Sequence, residues 1–118
     1  MSAATDAVAA AIPAGPATVN AARGEASVRI GGVDIALRPT FQALVAAEGE
    51  LGPLFGLVER AADGGIALAE IVGLFWHCLR VPPEGLTRAA FAEAIVEAGL
   101  SAAMPVLRTL LGQIVAGR

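Results

Sequence analysis

Residues 25–37, Glu-Ala-Ser-Val-Arg-Ile-Gly-Gly-Val-Asp-Ile-Ala-Leu, carry the pattern that decides the fold. Apolar and polar residues alternate on both sides of Gly31-Gly32, as they do in β-strands that bury one face. Two adjacent glycines can adopt the positive φ angles of a tight hairpin turn. We therefore predict a β-hairpin that packs on helices, because an isolated hairpin is only marginally stable in water. The residues expected on its apolar face are Val28, Ile30, Val33, Ile35 and Leu37.

After Pro39 the apolar residues recur with the helical period of about 3.6. Thr40 and Thr87 are suited to cap helices, and glycines and prolines mark the breaks between them. Because Pro105 disfavours a helix interior, the regular part of the last helix is expected to begin nearer Met104. The predicted helices are Phe41 to about Glu48, Pro53 to about Asp63, about Ala67 to Arg80, the segment from Thr87 to Ala98, and Ser101 to about Ala116. The predicted fold class is mainly α (α+β), an N-terminal two-stranded β-hairpin packed on a bundle of four to five short helices.

A chain of 118 residues fits one domain. Residues 1–22 are mostly Ala, Pro, Gly, Ser and Thr and contain few large apolar side chains. Such a segment cannot bury enough surface to offset the entropy lost on ordering. We predict a disordered tail over residues 1–22 and a single hairpin-plus-helices domain over 23–118.

The third helix is expected to form the centre of the core. Its apolar arc is wider than the stripe of an ordinary surface helix, and Phe75 lies at the middle of that arc. His77 and Glu70 lie on the opposite side, which predicts a solvated imidazole. The residues of the central stripe are Leu68, Ile71, Val72, Phe75, Cys78 and Leu79.

Apolar residues at the edges of these arcs are the candidate partner-binding residues. Leu74 and Trp76 flank the stripe of the third helix, and Val106 lies at the edge of a similar stripe on the fifth. Tryptophan is enriched where binding energy concentrates, although the alternative for Trp76 is a core residue at the edge of its helix. The groove that these residues would form could accept an amphipathic segment of a partner or a second copy of the chain.

Reactive side chains are too few and too dispersed to predict an active site, so we expect no enzyme and no catalytic, cofactor or metal site. His77 is the single histidine, and Cys78 lies in the apolar stripe as a small buried hydrophobe. Glu93 and Glu97 have a spacing found in carboxylate metal sites. Without a histidine and a second such helix, a solvated acidic stripe is the better interpretation.

The distribution of charge disfavours nucleic acid as a partner. The net charge is −3, and the eight arginines are spread singly along the chain instead of forming one basic face. No run approaches the roughly 20 apolar residues that a membrane span needs, and the N-terminal residues lack the features of a signal peptide. We therefore expect a soluble protein in the cytoplasm of the producing bacterium.

The stretch from Arg23 to Leu44 resembles the start of a protein family encoded in gene transfer agents and related prophages. Members have a short β-hairpin, then Leu-Arg-Pro-Thr/Ser-Phe, an acidic residue and Leu-Gly. The matching elements here are Leu37-Arg38-Pro39-Thr40-Phe41, Glu48, Leu51-Gly52, the stretch Leu68–Arg80, and Glu97-Ala98-Gly99-Leu100. The resemblance covers about residues 23 to 115.

This resemblance implies a role in tail morphogenesis and transfers no catalytic residue. Such proteins are described both as tail-tube-associated proteins and as tail assembly chaperones. Their genes usually lie between those for the tail tube and the tape measure, which implies a chaperone that binds the tape-measure protein. The alternative is a structural tail-tube-associated subunit retained in the particle. Expected partners are therefore tape-measure or tail-tube proteins, with a homo-oligomer also possible.

Overall fold

The computed structural model describes residues 26–117, which form a β-hairpin followed by five helices. The predicted mainly α fold class is confirmed. The tail predicted over residues 1–22 lies outside the described residues. The elements are β1 (Ala26–Ile30), β2 (Val33–Leu37), α1 (Phe41–Leu51), α2 (Leu54–Ala62), α3 (Leu68–Cys78), α4 (Arg88–Ala98) and α5 (Leu100–Ala116).

The hairpin is antiparallel and its register runs from Ala26 opposite Leu37 to Ile30 opposite Val33. Gly31 and Gly32 both have positive φ, +59° and +81°, as the two-residue turn requires. The predicted apolar face packs on the helices except at Val33, which is exposed. Val33 follows the turn directly, at the end of the hairpin farthest from the strand ends that lead into the helical part.

The segment after α3 adds one residue of pairing to β2, at an isolated bridge between Leu37 and Leu79. The Arg38 N–H donates to the Cys78 carbonyl at 2.8 Å, and the Arg80 N–H donates to the Ala36 carbonyl at 3.0 Å. Helix α3 therefore ends at Cys78, two residues before the predicted end, because Leu79 adopts an extended conformation to pair with the strand.

Two other helices are longer than predicted. Helix α1 continues to Leu51 and ends where Gly52 adopts a φ of +88°. Helix α5 begins at Leu100 and includes Pro105. The proline leaves the Ser101 carbonyl without its helical donor, but Ser101 is exposed, so water can satisfy that oxygen.

Helix α3 lies at the centre of the core, with α1 and α4 packed against it. Phe75, predicted at the middle of its apolar stripe, is fully buried, as is Phe91 of α4. Trp76 is half-buried and its ring lies 5.7 Å from the Phe91 ring, at an interplanar angle of 51°. The largest fully buried side chains are Phe75, Phe91, Leu37, Leu57, Leu74, Leu107, Leu110 and Cys78.

Within residues 26–117, no single helix is both long and apolar enough to cross a membrane. Helices α4 and α5 reach that length only as a pair, and the chain bends by 111° between them.

A pair of phenylalanine substitutions tests the position of the core. Phe75→Ala should lower the free energy of unfolding by about 3–5 kcal/mol, because it leaves a cavity beside the central helix. Phe41→Ala removes the same side chain from a position that is 82% exposed, so its effect should lie within about 0.5 kcal/mol of zero. Chemical denaturation of both variants measures the difference, and equal losses would contradict the assigned core.

Candidate functional site

A cluster of three titratable side chains joins α1, α3 and α4. Arg88 donates to both carboxylate oxygens of Glu50, at 2.8 Å from Nη1 to Oε1 and through a second bond from Nη2 to Oε2. His77 Nε2 donates to Glu50 Oε1 at 2.8 Å. The prediction that His77 is a solvated imidazole is therefore wrong, because its helix face meets Glu50 at the end of α1.

The electrostatics of this cluster suit an ion pair that holds helices together better than an acid–base catalyst. The hydrogen bonds from Arg88 and, to a smaller extent, from His77 lower the pKa of Glu50 to about 2. A carboxylate with so low a pKa is a weak base near neutral pH. Gly73 lies beneath the pair, where an added Cβ would be 2.8 Å from Arg88 Nη2 and 3.3 Å from Glu50 Oε2.

Another ion pair joins α2 to the start of α3. Arg60 donates to both oxygens of Glu70, at 2.8 and 2.7 Å, and Glu70 also accepts from the Ala67 N–H at 2.9 Å. These hydrogen bonds lower the pKa of Glu70 to about 2, and those from Arg60 contribute more than the one from Ala67. Glu70 thus fixes the α2–α3 connection instead of sharing a solvated face with His77.

The remaining side chains that could react or bind a metal are separated from one another. Burial raises the pKa of the Cys78 thiol to about 12, so the nucleophilic thiolate is scarce at neutral pH. In the part of the chain that the structure describes, no three His, Cys, Asp or Glu residues are arranged to hold a metal ion. Glu93 and Glu97 line an exposed face of α4 with Ala92 and Val96.

The most distinctive surface is an apolar groove of about 280 Å³ between α1, α2 and the last turns of α5. Phe41 and Phe55 line it and are 82% and 83% exposed. Val45 and Val115 are each more than half exposed beside them. We call this surface the phenylalanine groove. Its lining residues are Phe41, Leu44, Val45, Glu48, Leu54, Phe55, Val58, Ile114 and Val115.

Local hydrogen bonds hold the two walls of the phenylalanine groove in place. The Thr40 hydroxyl accepts from the Ala43 N–H at 3.1 Å, which caps α1 directly before Phe41. Glu48 Oε2 accepts from the Leu54 N–H at 3.1 Å, so α1 caps the start of α2. This bond places Phe55, the next residue of α2, near the end of α1 opposite to Phe41.

The three residues predicted to bind a partner do not form one surface. Leu74 is fully buried, at 0% exposure, so it offers no surface to a partner in this conformation, and its predicted place at an exposed edge is corrected. Trp76 packs against Phe91, and the half-buried Val106 lines a separate pocket of about 210 Å³ between β1, α4 and α5. Leu74 is covered because neighbouring elements enclose α3 across nearly its whole width. Partner binding through Trp76 or Val106 stays a prediction.

Sequence reasoning missed Phe41 and Phe55, although the sequence contained a signal. Phe41 and Val45 are four residues apart, and Phe55 and Val58 are three apart, so each pair shares a helix face. In α2 the buried Leu54 and Leu57 account for the core-facing side. The second apolar pair of this short helix, Phe55 and Val58, therefore required a different surface to pack against.

A comparison of two glycine substitutions tests the Glu50–Arg88 ion pair that lies over α3. Gly112→Ala, at an exposed position of α5 with nothing within 4 Å of the added Cβ, should stabilise the protein by about 1 kcal/mol through helix propensity. Gly73→Ala should lose that gain or destabilise, because its Cβ displaces the Arg88 guanidinium from Glu50. Thermal unfolding of both variants measures the contrast, and an equal rise in Tm would contradict the close packing at Gly73.

Acid titration tests the pairing of Glu50. Because its pKa is lower in the folded state than the ordinary value near 4.5, the pairing stabilises the fold above that value. The stabilisation is lost as the pH falls towards about 2. Glu50→Gln should therefore destabilise at pH 7, by up to about 1 kcal/mol for so exposed a pair, and the difference should shrink in acid.

Unfolding free energies measured across this pH range check the effect, and Glu97→Gln on the exposed face of α4 is the control. Some acid sensitivity should persist in Glu50→Gln, because Glu70 also has a lowered pKa. If the difference in unfolding free energy between Glu50→Gln and the parent stayed constant from pH 7 to pH 2, the stabilising role of the Glu50 pairing would be refuted.

Comparison with known proteins identifies the family. Residues 23–117 match the family described as "Phage tail tube protein, GTA-gp10", where GTA denotes a gene transfer agent. Comparisons with curated proteins and with solved structures gave no match. The matched region contains the hairpin, all five described helices and the phenylalanine groove. The chain belongs to the phage tail tube protein, GTA-gp10 family of phage and gene transfer agent tail proteins.

Proposed function

We propose that this protein is a non-enzymatic tail assembly chaperone that binds the tape-measure protein through the phenylalanine groove. The observation that carries the proposal is the exposure of Phe41 and Phe55, each above 80%, on one continuous apolar surface. It would act in the cytoplasm of the producing bacterium, before the tail is complete.

The exposed rings supply the binding energy that the proposal needs. Fully burying a phenylalanine side chain contributes about 1.5–3 kcal/mol, so covering both rings strongly favours association. Large exposed apolar patches on monomers often mark binding sites, and aromatic residues at the centre of an interface carry much of its energy.

The shape of the groove suits a helical segment. Phe41 and Glu48 are seven residues apart on α1, which corresponds to about 10 Å along the helix axis. A groove of this length accepts about two turns of an amphipathic helix, with apolar anchors at positions i, i+3 or i+4, and i+7. A tape-measure segment with that spacing would cover both rings.

The chemistry of the described side chains supports a non-enzymatic role. Glu50 and Glu70 are held as low-pKa carboxylates by arginines, and the Cys78 thiol is buried. Both carboxylates form ion pairs between helices. Glu48 is the one carboxylate among the described residues that line the phenylalanine groove, and it already accepts a hydrogen bond from the Leu54 N–H.

The alternative function is a structural tail subunit retained in the particle. The name of the family favours it, since it refers to a tail tube protein. A subunit in a ring needs two different complementary faces, and a second apolar patch lies on the α3–α4 side of the protein. That patch is lined by Leu68, Ala69, Val72, Arg88, Ala89, Ala92 and Val96.

Substitution of the two rings tests the binding surface. The double variant Phe41→Ser with Phe55→Ser should weaken binding to the tape-measure protein by at least about thirtyfold, the change expected for loss of an interface hot spot. Pull-down after co-expression, followed by calorimetry, measures the effect. Val33→Ser, which changes another exposed apolar residue that does not line the groove, is the control. Undiminished binding by the folded double variant would refute the proposed surface.

Mass spectrometry of purified particles separates the two functions. A chaperone should be absent from finished particles, whereas a structural subunit should be present in a fixed ratio to the other tail proteins. A stoichiometric signal would therefore replace the chaperone by the structural alternative.

A further inference from the structure

We infer that the phenylalanine groove is self-complementary and that two copies of the chain pair through it, about a two-fold axis, when no other partner is bound. The dimer uses the same surface as the proposed function but does not depend on it. Four features of the groove support a second copy as its occupant: the positions of its rings, its charge, its area and the residue at its centre.

The two rings belong to residues near opposite ends of α1, and both line the groove. Phe41 is the first residue of α1, and Phe55 is held near the other end of that helix by the bond between Glu48 and the Leu54 N–H. In an interface with two-fold symmetry, residue i contacts residue j of the second copy while j contacts i. Phe41 of each copy can therefore pack against Phe55 of the other, so that both pairs of rings are buried at once.

Val45 lies on α1 between Phe41 and the end of the helix near Phe55, so we place it near the proposed axis. It is one helical turn from Phe41, or about 6 Å along α1, and more than half exposed. A residue on a two-fold axis meets its own copy, so a small apolar side chain is suited to that place. Val45 meets this requirement without bringing two like charges together.

The charge of the groove also favours pairing with itself. The chain has a net charge of −3, so two copies repel unless the contacting surfaces carry little charge. Among the described residues that line the groove, Glu48 alone is charged, and its Oε2 accepts from the Leu54 N–H. The surface therefore avoids the like-charge contacts that an identical partner would otherwise introduce.

The apolar area is close to that of a small specific interface. A standard interface buries about 800 Å² per partner, of which somewhat more than half, about 450 Å², is non-polar. The exposed parts of Phe41 and Phe55 together provide on the order of 300 Å² per copy. Val45 and Val115 supply most of the remainder. We therefore expect a reversible dimer and not an obligate one, which leaves the groove accessible to a competing segment.

Sedimentation of the full chain tests the dimer directly. The parent should show a reversible monomer–dimer equilibrium that depends on concentration. Phe55→Ser should raise the dimer dissociation constant by at least about thirtyfold, and Val33→Ser should leave it unchanged. Circular dichroism verifies that Phe55→Ser remains folded, as expected for a side chain that is 83% exposed.

Disulfide trapping tests the position of the axis in protein that keeps both rings. Cys78 is the single cysteine of the chain and is buried, so it does not compete. Val45→Cys should form a covalent dimer under mild oxidation, because cysteines that meet across the axis can come within the usual Cα separation of a disulfide. Val33→Cys, at the tip of the hairpin, should form no covalent dimer under the same conditions.

The results separate this inference from the proposed function. A parent protein that stays monomeric at every concentration, or a dimer that Phe55→Ser leaves intact, would overturn the inference. Binding of the tape-measure protein to a strictly monomeric chain would overturn the dimer alone. A dimer that no tape-measure segment displaces would support the inference and count against the chaperone.

Discussion

Enclosure of α3 is the constraint on which the other contacts of this structure depend. Six residues of that eleven-residue helix are buried, namely 71–75 and Cys78. Leu74 and Phe75 have no exposed surface at all. A helix with so wide an apolar arc needs neighbours on several sides. Helices α1 and α4 cover two of them, and the chain beyond Cys78 pairs with β2, which ties the hairpin to the end of the helix.

The same enclosure explains the ion pairs around α3. Gly73 has no side chain, so Glu50 from α1 and Arg88 from α4 can meet over the backbone of the helix between them. His77, one turn further along, reaches the same carboxylate. Exposed ion pairs contribute little individually, but a bidentate pair fixes the relative position of two helices more narrowly than apolar contacts do. The polar cluster therefore serves the packing.

The phenylalanine groove follows from how the remaining apolar side chains are distributed. Helix α1 directs Ala47 to the core, and α2 directs Leu54 and Leu57 there. Each helix carries a second apolar face, and these faces meet beside the end of α5, where no other described element covers them. In a member of a tail protein family, a surface of this kind is where association with other chains is expected.

Local patterns in the sequence determined the element types, the hairpin turn and the place of Phe75 in the core. They act within a few residues: alternation defines a strand, Gly31-Gly32 permits the positive φ angles of the turn, and Thr40 and Thr87 each cap a helix through their own side chains. The family was also recognisable from the order of short motifs along the chain. The candidate site was not, because a helical pattern shows that a face is apolar but not what covers it.

Only the tertiary structure decided which apolar faces remain exposed and which polar groups meet. Leu74 lies at the edge of its helical stripe, yet its neighbours bury it completely, whereas Phe41 and Phe55 remain exposed because no element within residues 26–117 lies over them. Glu50, His77 and Arg88 come from three different helices. His77 is 27 residues from Glu50 along the chain, and Arg88 is 38 residues from it. Contacts over such distances depend on how the helices pack, which no local pattern specifies.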